Sequence, residues 1–87
     1  MLPQNDLGAS LYKTWNDTQK REEIARLIEG YRKGLSAGIL CKMVETIAGS
    51  HQRARKHLHA LMTPAERQAA IQKESGAVQD VVKKLLQ

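Results

Sequence analysis

Residues 36–66 read SAGILCKMVETIAGSHQRARKHLHALMTPAE, and this stretch decides the fold. Two segments with the apolar spacing of helices are separated by Gly49, which can take a positive φ, and Ser50, which can cap the helix that follows. The run 63–66 then has a capping Thr, a Pro at the first helical position and a Glu at the third, as in a capping box. The stretch therefore predicts three consecutive helices joined by tight turns.

The first of these three helices has few charges, only Lys42 and Glu45, and Ser36 is placed to cap it. We predict that it is the most buried element, with its apolar residues at Ile39, Leu40, Met43, Val44 and Ile47. The single cysteine, Cys41, excludes an intrachain disulfide and a multi-thiolate metal site. On so apolar a helix, a cysteine is expected to be a buried packing residue.

Upstream, residues 1–5 show no apolar period and are expected to be a flexible end. Leu7, Leu11 and Trp15 have the i, i+4, i+8 spacing of a short helix. The run 16–18 (Asn-Asp-Thr) predicts a break and the N-cap of a longer helix, which ends at Gly34 as helices often do. The apolar stripe of that helix consists of Ile24, Leu27, Ile28, Tyr31 and Leu35.

The C-terminal quarter carries an apolar stripe formed by Val78, Val81, Val82, Leu85 and Leu86. Gly76 either divides this region into two helices, with Ser75 as a cap, or lies within one long helix; we favour a break. The stripe has three interpretations. It completes the core of the chain, it pairs with a second copy in a homodimer, or it occupies a groove in another protein. The partner-binding residues of the last two interpretations would be Val78, Val81, Val82 and Leu85.

The 87 residues have room for one domain, which we place at 6–87. Aromatic residues make up only 3% of the chain, which argues against a sheet protein and against stacking platforms for single-stranded nucleic acid. We predict an all-α domain of four to five short helices with a helix-turn-helix-like corner and no wing. No apolar run approaches the length of a membrane span, so we expect a cytoplasmic protein without a membrane partner.

The charge balance favours an anionic partner. Lys and Arg number 14 against 9 Asp and Glu, a formal net charge of +5. No acidic residue occurs between Glu45 and Glu66, so the helix 51–62 is surrounded by positive charge. Its polar arc is predicted to be centred on Gln52, Arg55, Lys56 and His59, with Arg53 on the flank.

The run 47–50 (Ile-Ala-Gly-Ser) followed by 55–61 (Arg-Lys-His-Leu-His-Ala-Leu) resembles the turn and recognition helix of bacterial helix-turn-helix regulators. It departs from them at Gly49, where those regulators usually carry a bulky apolar residue, and at Ala54, where they carry a branched one. The resemblance implies a small regulator that binds duplex DNA with the helix 51–62 in the major groove. Bidentate geometry suits Arg53 and Arg55 to guanine and Gln52 to adenine. The full set of predicted contacts is Ser50, His51, Gln52, Arg53, Arg55, Lys56 and His59.

Two alternatives to DNA binding remain at this stage. One is a helical interaction module, of the kind phages and plasmids encode, which docks on a larger enzyme or regulator; its partner would be an acidic or nucleic-acid-handling protein. The other is RNA binding through the same basic arc without sequence recognition.

No constellation of residues suggests catalysis, and we predict a protein that is not an enzyme and has no cofactor. The histidines at 51, 57 and 59 do not share a helix face, so we predict no metal site and interpret all three as solvated side chains. The chain has no Gly-rich phosphate loop and no nucleophile elbow.

Overall fold

Five α-helices make up the part of the chain that the computed structural model describes, residues 12–87. They are α1 (Asp17–Arg32), α2 (Ala37–Ala48), α3 (His51–Leu61), α4 (Pro64–Lys73) and α5 (Gly76–Leu86). A turn at 12–14 precedes α1, and no strand occurs within the described range. The predicted all-α class with four to five short helices is confirmed. None of the helices in residues 12–87 is both long and apolar enough to cross a membrane.

The predicted N-terminal helix lies mostly outside the described residues, which include neither Leu7 nor Leu11 nor the segment 1–5. Trp15 of the same predicted stripe follows the 12–14 turn and is not helical. Its ring meets the ring of Tyr12 edge to face, with centroids 4.8 Å apart. The helix predicted for this region therefore does not extend to Trp15.

Both ends of α1 follow local signals in the sequence. Asn16 is the N-cap, and its side chain and that of Gln19 each accept a bond from the other's backbone N–H, at 2.8 and 2.9 Å. At the other end, the N–H of Leu35 donates to the carbonyl of Gly30, and the N–H of Gly34 donates to that of Tyr31. This pair of bonds is a Schellman motif, and Gly34 has the positive φ of 129°.

The start of α2 and the corner between α2 and α3 have the predicted capping bonds and glycine conformation. The hydroxyl of Ser36 accepts a bond from the backbone N–H of Ile39 and starts α2. Gly49 ends α2 with a φ of 83°, in the left-handed region that favours glycine. The hydroxyl of Ser50 then accepts from the N–H of Arg53 at 3.2 Å and starts α3. Two residues thus separate the helices, as the sequence predicted.

Only half of the predicted capping box at α4 is formed. The hydroxyl of Thr63 accepts from the N–H of Glu66 at 3.1 Å, and Pro64 occupies the first turn. The carboxylate of Glu66 makes a bidentate ion pair with the guanidinium of Arg32, at 2.8 and 2.9 Å, instead of returning to the cap. A charged partner on α1 therefore replaces the local bond, and charge-assisted bonds are the stronger kind.

The core lies between α2 and the helices around it, since α2 packs against α1, α3 and α5. Leu40, Val44 and Ile47 are buried as predicted, but Ile39 and Met43 are 51% and 42% exposed. Their predicted burial was wrong. They sit one residue before Leu40 and Val44, which turns them about 100° away from the buried face.

The chain breaks between α4 and α5, as we favoured. Ser75 is the N-cap residue of α5, though its side chain makes no capping bond, and Gly76 begins the helix with a φ of 61°. α5 then packs against α2, α3 and α4. The fully buried side chains of α5 are Val82, Leu85 and Leu86.

Candidate nucleic-acid interface

The predicted DNA-contact residues at the start of α3 are accessible. Gln52, Arg53 and Lys56 are exposed, and none of their side chains makes a hydrogen bond or ion pair within residues 12–87. Ser50 is occupied as the N-cap. The Nδ1 atom of His51 lies 3.6 Å from the carboxylate of Glu45. The first two turns of α3 therefore present free polar and cationic groups.

Arg55 does not belong to that free surface. Its guanidinium donates to the backbone oxygens of Lys84 and Gln87, the latter at 2.9 Å, at the C-terminal end of α5. A cation at that end of a helix complements the helix dipole and satisfies carbonyls that have no partner in the helix. Arg55 is thus engaged in packing α3 against α5, and its predicted contact with a guanine edge is not supported by this arrangement.

His59, one turn after Arg55, faces the same way. Its Nε2 atom lies 3.2 Å from the backbone oxygen of Leu85, and its Nδ1 atom contacts the guanidinium of Arg67. These partners suit the tautomer with its hydrogen on Nε2. Burial, followed by the charge of Arg67, lowers the pKa of His59 below its usual range. His59 is half-buried with protein partners at both ring nitrogens, so it is not the freely solvated side chain that the sequence predicted.

His57 is also not solvated, since its side chain is only 5% exposed. Its Nδ1 atom accepts a hydrogen bond of 2.8 Å from the Nε of Arg21 on α1. Burial lowers the pKa of His57, and the positive charge of Arg21 lowers it further. A neutral His57 therefore holds the Arg21 guanidinium by its Nε and leaves the two terminal amino groups as donors. Residues 12–87 contain no group of three or more His, Cys, Asp or Glu that could hold a metal ion.

A cleft of about 310 Å³ opens where α1 and α3 meet the segment before α1. We call it the cationic cleft. It is lined by Lys13, Trp15, Asp17, Lys20, Arg21, Arg53, Lys56 and His57. A second cavity, of about 320 Å³, shares Lys13, Lys20 and Arg53 with it and continues to the α2–α3 corner at Gly49. The cationic surface therefore extends along the exposed start of α3.

The electrostatics of the cationic cleft are one-sided. Its lining within residues 12–87 has five lysine and arginine side chains and one carboxylate, that of Asp17. Among the described residues, no carboxylate lies within 4 Å of any of the five cations, whereas Arg26 and Arg32 on the same α1 helix both have Glu partners. The cleft is thus a concentration of uncompensated positive charge, suited to a polyanion.

Sequence reasoning found two of the five cations, Arg53 and Lys56, and missed Lys13, Lys20 and Arg21. Lys20 and Arg21 are visible in the sequence as polar residues beside the apolar stripe of α1. Nothing local shows that they face α3, because 36 residues separate Arg21 from His57.

Of the predicted partner-binding residues on α5, Val82 and Leu85 are buried in the core of the chain itself. Val78 and Val81 remain exposed, at 46% and 43%. One edge of the stripe therefore packs in the core, and the other edge lies at the surface.

The chain matches no protein-family description, and neither curated proteins nor solved structures show significant similarity to it.

Proposed function

We propose that the protein binds duplex DNA, with the cationic cleft on backbone phosphates and the start of α3 towards a groove. The observation that carries the proposal is the convergence on one surface of five cations from three separate segments, none of which has a carboxylate partner within residues 12–87. Holding like charges together opposes folding. A ligand with one negative charge per roughly 1.7 Å of length compensates that repulsion and releases its own counterions on binding.

The two-residue corner supports a role for α3 in the contact. α2 packs behind α3, and the exposed side of the first two turns carries Gln52, Arg53 and Lys56. No acidic residue occurs in the first turn of α3, so its positive dipole end adds to the field of the side chains. Arg53 and Gln52 are the residues suited to base edges.

The remaining cations suit phosphates, which fix the position of a protein on the duplex without specifying sequence. Lys13, Lys20 and Lys56 offer flexible ammonium groups. Arg21 differs, because His57 already holds its Nε. A guanidinium that is oriented before binding loses less side-chain freedom when it contacts a phosphate.

Fluorescence anisotropy with a random duplex, repeated over a series of salt concentrations, tests the proposal. Lys20→Ala removes a cation from the cationic cleft, and Lys83→Ala is the matched control because it removes the same charge from α5, where it lines none of the cavities described. Each lost phosphate contact reduces the slope of log affinity against log salt concentration by about 0.9. Over the tenfold range from 1 M to 0.1 M salt, this slope change corresponds to a roughly eightfold loss of affinity. Lys20→Ala should show that loss and Lys83→Ala should not.

Equal effects of the two substitutions would mean that only the net charge matters, and would remove the cleft from the proposal. Tighter binding of structured RNA than of duplex DNA in competition would replace DNA with RNA. Absence of binding to either nucleic acid at low salt would refute the proposal and favour an acidic protein as the partner of this surface.

A further inference from the structure

A largely apolar groove lies between α2 and α5. Its volume is about 530 Å³, and it is lined by Ser36, Gly38, Ile39, Lys42, Glu45, Val78 and Val81. The two helices approach closely at its floor, where a Cβ on Gly38 would come within 2.9 Å of the Cγ1 of Val78. We call it the α2–α5 groove.

The exposed large hydrophobic residues of the described chain all lie on these two helices. Ile39 and Met43 are on successive turns of α2, and Val78 and Val81 are on successive turns of α5. Met43 lines a separate cavity with Tyr12 and Thr46. Scattered single hydrophobic residues are normal at a surface, but Ile39, Val78 and Val81 line one groove and form a patch of the kind that marks an interaction site.

The charges beside this patch indicate what covers it. Lys42 and Glu45, which lie one turn apart on α2, carry opposite charges, so the groove is neutral although the chain has a formal charge of +5. A strongly acidic partner would find no excess of positive charge here. A second copy would find a complementary surface, because a two-fold axis pairs residue i with residue j and residue j with residue i.

We propose that the α2–α5 groove is a homodimer interface in which Lys42 of each copy faces Glu45 of the other. Two antiparallel α2 helices form both pairs when the two-fold axis crosses them between positions 43 and 44, because residue 42 of one copy then lies opposite residue 45 of the other. The Ile39, Val78 and Val81 side chains, which line the same groove, lie beside that axis. Charged pairs at the edge of an apolar contact set the register of such an interface.

The dimer is independent of the proposed DNA binding, because no residue lines both the α2–α5 groove and the cationic cleft. Failure of either proposal would therefore leave the other standing, and the test of the dimer uses protein without DNA.

Sedimentation equilibrium of the full chain, from about 1 to 100 μM, should show a monomer–dimer equilibrium, since small interfaces give affinities in this range. Val81→Ser removes exposed apolar surface and should weaken dimerisation at least tenfold. Lys42→Glu and Glu45→Lys each place like charges opposite each other and should give monomers. Circular dichroism of each variant verifies that it is folded, which matters for Glu45→Lys because Glu45 also lies near His51.

Mixing the two charge-reversal variants is the decisive step. One variant then presents two carboxylates and the other two ammonium groups, so a heterodimer should form where each alone is monomeric. A wild-type chain that stays monomeric at about 100 μM, a dimer that Val81→Ser leaves unchanged, or a mixture that fails to associate would each overturn the proposal.

Discussion

Replacement of Arg55 by alanine should destabilise the protein and leave its DNA affinity nearly unchanged, although Arg55 lies on the basic helix. Its guanidinium donates to the backbone oxygens of Lys84 and Gln87, which end α5. Arg53, two residues earlier, is exposed and lines the cationic cleft. The two arginines therefore differ in role because they lie on different sides of α3.

The magnitude follows from what the truncation removes. Two hydrogen bonds contribute about 0.5–1.5 kcal/mol each, and a cation at a helix C-terminus contributes about 0.3–1 kcal/mol. Because Arg55 is partly exposed, we reduce the sum of these contributions, about 1.3–4 kcal/mol, to about 1–2 kcal/mol in the free energy of unfolding. In a domain of this size each kcal/mol lowers Tm by roughly 4–8 °C, so Tm should fall by about 5–15 °C.

Thermal and urea unfolding followed by circular dichroism measure the stability, and anisotropy measures the DNA affinity. Arg53→Ala is the matched control, since it removes the same side chain from the same helix. Its free energy of unfolding should stay within about 0.5 kcal/mol of wild type, while its DNA affinity falls. A stable Arg55→Ala variant that loses DNA affinity, together with an Arg53→Ala variant that retains it, would refute this assignment of the two arginines.

Three further predictions concern buried or constrained positions. The pKa of His57 is lowered from 6.5 in the folded protein, so the unfolded chain binds the proton at a higher pH than the folded chain does. The free energy of unfolding should therefore fall as the pH drops from above 6.5 towards the pKa of the folded state. The fall should be less steep in His57→Asn, because asparagine keeps an acceptor for Arg21 but does not titrate. An equally steep fall in the variant would exclude His57 as the cause. Gly49→Ala should lower the free energy of unfolding in urea by about 1 kcal/mol, because the φ of Gly49 is 83°, although nothing within 4 Å obstructs a Cβ. An unchanged midpoint of urea unfolding would show that the turn adjusts to alanine without strain. Burial raises the pKa of Cys41 to about 12, so a thiol reagent at pH 8 should react with it only at the rate of unfolding; fast labelling of the native protein would contradict its burial.

The sequence was informative wherever a structural feature depends on neighbouring residues. The caps at Asn16, Ser36, Ser50 and Thr63 and the glycine at the end of α2 were all visible, because a capping bond joins residues three apart in the chain. The helix class and the helix boundaries follow from such signals. The sequence also indicated that the cations at the start of α3 are accessible, because the apolar residues of this helix mark its buried side and the cations lie away from it.

The tertiary structure alone decided which partner each polar side chain takes and which apolar face of α2 is covered. Glu66 bonds Arg32, 34 residues away, in preference to its own helix start, and Arg55 bonds the end of α5 in preference to solvent. An apolar helix has more than one face that can be buried, so periodicity cannot predict the exposure of Ile39. The cationic cleft arises for the same reason: its charges come from segments far apart in the chain, and only the packing of α1 against α3 brings them together.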